Sequence, residues 1–311
     1  ETKTTAKSTK KSETKTTAKS TKKSETRTTA KSTKKSETKT TAKSTKKSGT
    51  KTVTSTEKKS DETDAVPAIA KNKHEQEKIT FKLPEVRESD TSKTLETKDL
   101  PAPDYKKAGC IDVPYVSQAD YPTGCELVSA SMLLGYYGLK VTAGELIDGG
   151  YIKTAEFRTD PKDKKFYGGD PNFTYIGNPR SSGGYGCYSN TIREMFENYL
   201  QDKYFDIYYL TGTSLDELCS LYIDFGQPVM IWASISMEPL HFAESSSWFI
   251  EGSDEKFTWL ANEHCLVLVG YDEYYYYIHD PLRGAYTAYR RELVDMRYSE
   301  MGNQAVTIIP W

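Results

Sequence analysis

A twelve-residue repeat limits how much of this chain can fold. Residues 1–48 are four near-identical copies of Glu-Thr-Lys-Thr-Thr-Ala-Lys-Ser-Thr-Lys-Lys-Ser with one Lys→Arg change at position 27, and residues 49–60 are a degenerate fifth copy. Alanine is the only apolar residue of the repeat, so burial cannot offset the entropy lost on ordering. The repeat is also shorter than the roughly 20–50 residues of stacking repeat proteins. We therefore expect residues 1–60 to be a disordered, extended spacer.

The small net charge of the chain, −2, is a cancellation between two regions. Residues 1–60 carry 19 Lys/Arg and 5 Glu, a net charge of +14, whereas the other 251 residues carry 23 basic and 39 acidic side chains, a net charge of −16. A solvated spacer is the first interpretation of the basic tail, and contact with an anionic cell-wall polymer is the second. Nucleic-acid binding ranks last, because the repeat lacks aromatic residues that stack on bases.

The rest of the chain divides into a linker and one domain. Residues 61–108 are expected to be a disordered acidic linker that contains four prolines, and residues 109–311 suit a single domain of about 200 residues. Periodicity predicts helices at 125–138, after Thr142, at 189–200 and at 214–225, and strands at 111–116, 205–210, 228–236, 264–270, 274–279, 284–290 and 304–309. A helix followed later by an antiparallel sheet indicates an α+β fold.

Cys125 is the first candidate for a catalytic residue. It follows a Pro-Thr-Gly turn and opens a predicted apolar helix. The positive end of a helix favours a thiolate, so we expect the pKa of Cys125 to lie below the ordinary value of about 8.5. The sequence therefore predicts a nucleophile at this position.

His264 and Asp280 are the candidates for its base and for the residue that orients the base. Each lies eight residues from Asp272, in the turn between two predicted strands. If the hairpin is centred on Asp272, the two side chains are direct cross-strand neighbours, with Cβ atoms roughly 4.5–5.5 Å apart. A thiol, an imidazole and a carboxylate arranged in this way support covalent catalysis. A register slip of one residue would place the pair on opposite faces.

Several short motifs, in this order along the chain, resemble the C39-like peptidase domain, a papain-like fold found in secreted proteins of Gram-positive bacteria. The motifs are Val113-Pro-Tyr-Val-Ser-Gln118, Gly124-Cys125-Glu126, Gly226-Gln-Pro-Val-Met230, His264 with Val-Gly-Tyr-Asp272, and Asp280-Pro281. The resemblance covers about residues 110–311. It implies Cys125 as nucleophile, His264 as general base, Asp280 as the orienting residue and Gln118 as a donor to the oxyanion.

Other cysteines and histidines compete less well for these roles. Cys187 also follows glycines and opens a helix, which makes it the rival nucleophile, although a packing role is favoured. Cys265 is expected on the face opposite His264, and Cys219 on the apolar stripe of a helix, so both are expected in the core. His241 and His279 are assigned no catalytic role.

The resulting hypothesis is a secreted or wall-associated cysteine peptidase that acts on peptide or protein substrates. No metal and no organic cofactor are expected, and no run of 18 apolar residues predicts a membrane span. The sequence begins inside a repeat, so we expect a secretion signal to have been removed from a position upstream. Two alternatives remain open: an inactive peptide-binding or surface-display module, and an acyl transferase that uses the same three residues.

Overall fold

The computed structural model describes residues 100–311, apart from the side chain of Glu244. The predictions for residues 1–60 and for residues 61–99 of the linker lie outside the described residues. The described helices are α1 (Cys125–Tyr136), α2 (Ala143–Asp148), α3 (Ser189–Leu200), α4 (Leu215–Leu221) and α5 (Arg291–Glu300). The described strands are β1 (Thr154–Ala155), β2 (Arg158–Thr159), β3 (Phe166–Gly168), β4 (Tyr175–Ile176), β5 (Phe205–Tyr209), β6 (Val229–Ser234), β7 (Phe242–Ile250), β8 (Lys256–Leu260), β9 (Glu263–Tyr271), β10 (Tyr275–Asp280), β11 (Gly284–Arg290) and β12 (Ala305–Pro310).

A six-stranded antiparallel sheet forms the centre of the domain, with strand order β11-β10-β9-β6-β12-β5. The two central strands, β6 and β9, are almost entirely buried, and helix α1 packs against β9. Strands β2, β3, β7 and β8 form a second sheet, and β1 pairs with β4 in a third. The described part of the chain thus has the expected α+β layout, with a helix bearing Cys125 against a sheet bearing His264.

Helix α1 is buried along most of its length, because its own Leu, Val, Ala and Met side chains make it apolar on all sides. Its first ten residues, from Cys125 to Leu134, are all buried. The chain can enter this helix only through a close turn, since a Cβ atom at Gly124 would lie 2.8 Å from Cβ of Tyr121. A glycine at position 124 therefore places Cys125 at the start of a helix that is embedded in the core.

The β9–β10 hairpin does not have the register that its centre at Asp272 predicts. The observed pairs are Tyr276 with Tyr271, Tyr277 with Gly270, Ile278 with Leu268, and His279 with Val267. Val269 is the extra residue of a β-bulge. Continuing the register beyond the bulge places Asp280 opposite Leu266, so the prediction that His264 lies directly opposite it is wrong by two residues. The two side chains still share a face, because the bulge restores the parity that the turn alone would have broken.

The structure differs from the prediction in other places as well. Residues 111–116 form an extended segment outside the sheets, and Ile111 donates a backbone hydrogen bond to the bulge carbonyl of Val269 at 2.7 Å. Periodicity predicts no strand in residues 242–260 and no helix in residues 291–300, where the structure has the β7–β8 hairpin and α5. Strand β7 contains three consecutive serines, and α5 is mostly polar, so neither shows a clear local periodicity.

Candidate active site

His264 and Asp280 form a buried pair at the ends of β9 and β10. His264 Nε2 lies 2.9 Å from Asp280 Oδ1, and each side chain is only 1% exposed. The other carboxylate oxygen, Oδ2, accepts a hydrogen bond of 2.6 Å from the Tyr289 hydroxyl, and Oδ1 also accepts the Leu282 N–H at 2.9 Å. Asp280 is thus held by three groups on three parts of the chain, and its bond to Nε2 leaves Nδ1 of His264 for a second partner.

These contacts also determine the charge of Asp280. Burial alone would raise its pKa, but the hydrogen bond and charge of His264 and the hydrogen bonds of Tyr289 and the Leu282 N–H outweigh burial and lower the pKa below its ordinary value. The carboxylate is therefore ionised at neutral pH. It can stabilise positive charge on His264 when the imidazole accepts a proton.

Cys125 lies beside the strand that carries His264. Its thiol is 5% exposed, accepts the N–H of Cys265 at 3.5 Å, and donates to Glu126 Oε2 at 3.4 Å. Cys265 directly follows His264, so the Cys125 thiol lies at the end of β9 that carries His264. Among the described residues, however, no hydrogen bond joins Cys125 to the His264 ring, and the thiol faces a buried acidic group instead.

The expectation of a low pKa for Cys125 is wrong. Burial raises its pKa well above the ordinary value, and the nearby Glu126 and Glu263 raise it further because a thiolate there would meet two carboxyl groups. The field at the start of a helix, equivalent to about half a positive charge, does not compensate. Cys125 is therefore a thiol in this arrangement, and its activation requires a proton acceptor.

Glu126 and Glu263 form a buried carboxyl pair that the sequence analysis missed. Glu126 is fully buried, and its Oε1 accepts the Cys187 N–H at 2.6 Å. Gly186 makes this possible, since a Cβ atom there would lie 2.1 Å from that oxygen. Glu263, only 7% exposed, enters from the first residue of β9. Acidic residues directly beside Cys125 and His264, within otherwise apolar elements, were the available signal.

The carboxyl pair predicts a pH-dependent stability. Burial raises the pKa of Glu126 from 4.5 to about 7, and burial with the neighbouring Glu126 raises that of Glu263 well above 4.5. Because the folded protein binds the Glu126 proton more tightly than the unfolded chain does, the contribution of Glu126 to stability is complete below about pH 4.5 and is lost as the pH rises from there to about 7, at about 1.4 kcal/mol per pH unit. Relative to wild type, Glu126→Gln should therefore gain stability between pH 5 and pH 8.

The measurement is the free energy of unfolding by urea at several pH values in chelator-treated buffer. His279 acts in the opposite direction, because burial lowers its pKa from 6.5 to about 4, so its contribution is lost as the pH falls through that range. His279 is present in both proteins, so its contribution cancels in the difference between the free energies of unfolding of Glu126→Gln and wild type. Parallel stability curves for the two proteins would show that Glu126 does not titrate as described.

Gln118 connects the segment before α1 to the loop after Asp280. Its backbone N–H donates to the Pro281 carbonyl at 3.0 Å, and its Nε2 donates to the Pro122 carbonyl at 3.2 Å. The side chain is buried, and its Oε1 has no hydrogen-bond partner in the described part of the chain. The segment before α1 is thereby joined to the loop after Asp280. The remaining N–H of Nε2 is available to a ligand atom at this junction.

The competing residues lie where core residues are expected. Cys187 and Cys265 are fully buried and Cys219 is 2% exposed, and all five cysteines are free thiols in the structure. His279 is buried between the rings of Tyr115 and Tyr286, and His241 lies in the exposed segment before β7. None of these side chains forms a hydrogen bond with the His264–Asp280 pair in the described structure.

The tryptophans near the site belong to the core. Trp232, Trp248 and Trp259 are each at most 5% exposed. Trp248 and Trp259 stack with ring centroids 6.5 Å apart, and Tyr188 stacks on Trp259 at 5.7 Å. This cluster joins the second sheet to the start of α3.

Within residues 100–311, no helix is long and apolar enough to span a membrane.

Comparisons with known proteins show which family this domain resembles. The Peptidase_C39 like family matches residues 110–306. The uncharacterized protein YvpB of Bacillus subtilis (strain 168) is 28% identical over 201 residues, which are 64% of this chain and 75% of YvpB. A crystal structure from Bacillus anthracis, of a protein assigned provisionally as a C39-like peptidase, shares 30% identity and a TM-score of 0.55 over 65% of this chain and 98% of that one. A double glycine motif protease from an AMS/PCAT transporter, in complex with the leader peptide, shares 16% identity and a TM-score of 0.36 over 65% of this chain and 94% of that one.

Proposed function

The chain belongs to the peptidase C39-like family, and we propose that it is a cysteine peptidase that hydrolyses peptide bonds with Cys125, His264 and Asp280. Its α+β, papain-like fold is the one that the sequence predicts. The observation that carries the proposal is the buried His264–Asp280 pair at 2.9 Å, with the Cys125 thiol bound to the backbone N–H of the residue after His264. These contacts support the proposal because the candidate nucleophile binds β9 at the residue next to the candidate base, and Asp280 holds that base.

The proposed reaction begins with movement of a proton. The raised pKa of Cys125 argues against a preformed thiolate–imidazolium pair, so the thiol turns from Glu126 toward Nδ1 of His264 when a peptide binds. His264 accepts the thiol proton as sulfur attacks the peptide carbonyl carbon. The carbonyl oxygen gains negative charge, which the backbone N–H of Cys125 and Nε2 of Gln118 stabilise.

His264 completes both halves of the reaction. The imidazolium donates its proton to the leaving amine as the carbon–nitrogen bond breaks, which leaves an acyl group on Cys125. The neutral ring then accepts a proton from water as the water oxygen attacks the thioester carbon. The carbon–sulfur bond breaks, the acid leaves, and the imidazolium returns its proton to the Cys125 sulfur. Asp280 keeps Nε2 occupied throughout, so Nδ1 remains directed at the reacting atoms.

Two other functions remain open for this site. The Cys125 thiol donates to Glu126 and has no hydrogen bond to His264, as expected for a domain that binds peptides without cleaving them. Alternatively, an amine in place of water would accept the acyl group from Cys125, which would make the protein an acyl transferase. A binding module would leave the peptide intact, whereas an acyl transferase would use the same three residues and differ from a peptidase only in the acceptor.

Incubation of the full chain with a peptide library, followed by mass spectrometry, separates the three functions. We expect new peptides with free carboxyl ends, and the masses of the two fragments should add up to the mass of the original peptide plus one water molecule. Repeating the incubation with an added primary amine tests for acyl transfer, which would give amide products of higher mass. Intact peptides that co-elute with the protein, without any cleavage product, would contradict the peptidase and support the binding module.

A further inference from the structure

Three potential metal ligands meet in the interior of the domain, and one of them is the proposed nucleophile itself. They are the Cys125 sulfur and one carboxylate oxygen each from Glu126 and Glu263, and these atoms lie within 4.8 Å of one another. Cys125 and Glu126 occupy the first turn of α1, whereas Glu263 begins β9. The three residues are therefore held by two rigid elements that pack against each other.

The charge of this group is unbalanced. No Lys or Arg side chain in the described structure forms an ion pair with Glu126 or Glu263, and the imidazole of His264, which follows Glu263 in sequence, is bonded to Asp280. Glu263, more than nine-tenths buried, leaves its Oε1 without any hydrogen-bond partner among the described residues. Burying an anion without a partner is costly, so the pocket requires either protons or a cation.

The ligand chemistry selects the kind of cation. Mg²⁺ and Ca²⁺ prefer sites made of oxygen alone, whereas Zn²⁺ accepts thiolate sulfur at about 2.3 Å together with carboxylate oxygen at about 2.0–2.2 Å. Three such ligands and one water molecule complete a tetrahedral site. The start of α1 opposes a cation with about half a positive charge, but three ionised ligands supply three negative charges.

We propose that Cys125, Glu126 and Glu263 bind a thiophilic divalent cation of the Zn²⁺ class. Binding replaces the protons of the thiol and the carboxyl pair, and it holds the Cys125 sulfur away from His264. The consequence for catalysis rests on the proposed peptidase function: the bound metal inhibits, and a chelator restores activity. Metal binding itself does not depend on that function.

The test uses the full chain and Cd²⁺ as a spectroscopic substitute for Zn²⁺. A thiolate bound to Cd²⁺ gives an ultraviolet charge-transfer band, and we expect this band to appear in wild type and to be absent in Cys125→Ala. Glu263→Gln, which keeps the shape but removes an ionisable ligand, should weaken Cd²⁺ binding at least ~10-fold. Glu273→Gln, at the exposed turn of the β9–β10 hairpin, is the control and should bind like wild type. Zn²⁺ competition for the band gives the Zn²⁺ affinity.

Absence of the band in folded wild type, a band retained in Cys125→Ala, or equal affinities in Glu263→Gln and wild type would each overturn the proposal. If Glu263→Gln unfolds, as judged by its thermal transition, Glu126→Gln removes the other carboxylate ligand and provides the same comparison. Because the band requires no substrate, a protein that binds Cd²⁺ but cleaves nothing refutes only the peptidase function. A protein that cleaves peptides but gives no band refutes only the metal site.

Discussion

Cys125→Ala is expected to lower kcat/KM for peptide hydrolysis by at least ~10⁴-fold, because no other group in the described site can form the acyl intermediate. Cys187, the rival nucleophile, is fully buried, and its N–H is occupied by Glu126. Cys187→Ser should therefore retain cleavage, although packing near Glu126 changes. Cys219→Ala, in α4, is the control for loss of a buried thiol away from the site. Cleavage that survives in Cys125→Ala and disappears in Cys187→Ser would reverse the assignment.

The same experiment extends to the orienting carboxylate. Asp280→Ala should lower kcat/KM by at least ~10-fold, since His264 loses its Nε2 partner and can adopt unproductive orientations. Tyr289→Phe removes only the hydrogen bond to Oδ2 and should have a smaller effect. Wild-type activity in Asp280→Ala would remove Asp280 from the mechanism while leaving Cys125 and His264 in place.

Trp232→Ala is expected to lower the free energy of unfolding by about 3–5 kcal/mol. The indole is fully buried in β6, one of the two central strands, and its Nε1 donates to the Cys187 carbonyl at 3.1 Å. Truncation thus creates a cavity in the core and leaves a buried carbonyl without its donor. Since domains are stable by only about 5–15 kcal/mol, the variant loses a large fraction of the total.

Urea denaturation measures this effect, and two variants separate its causes. Trp232→Phe retains an aromatic ring but not the N–H, so its loss should be smaller than that of Trp232→Ala. Trp311→Ala removes a tryptophan that is 78% exposed and should change stability by less than about 1 kcal/mol. Equal losses for Trp232→Ala and Trp311→Ala would contradict the packing described for β6.

Several parts of the domain follow from local sequence. Helix α3 begins and ends where the periodicity predicts, and the helix after Thr142 begins with a capping box in which Thr142 and Glu145 exchange hydrogen bonds. The site residues Cys125 and His264 also stand out locally, one at a turn before an apolar helix and one on a buried strand. These signals depend on residues within a few positions of each other, so the sequence displays them directly.

The register of the β9–β10 hairpin and the surroundings of the Cys125 thiol could not be predicted from local sequence, because both depend on contacts with distant segments. A turn centred on Asp272 was a reasonable expectation, but the bulge at Val269 depends on packing, since Gly270 lies against Cys110 and the bulge carbonyl accepts the Ile111 N–H. Similarly, the helix start predicted an acidic thiol, whereas Glu263, distant in sequence, contributes to a buried environment that raises its pKa. Contacts between distant segments produce no periodic pattern in the amino-acid sequence.

The amino-acid sequence by itself displays a basic repeat followed by an acidic segment with prolines, and it predicts the α+β fold of the residues that follow, because composition decides which segments can bury a core. Contact of residues 1–60 with an anionic wall polymer stays a prediction. The tertiary structure alone decided that His264 meets Asp280 diagonally, that a second sheet forms from residues 158–260, and that Glu126 and Glu263 converge on Cys125. Burial and charge at these places arise from packing between elements, which no local pattern specifies.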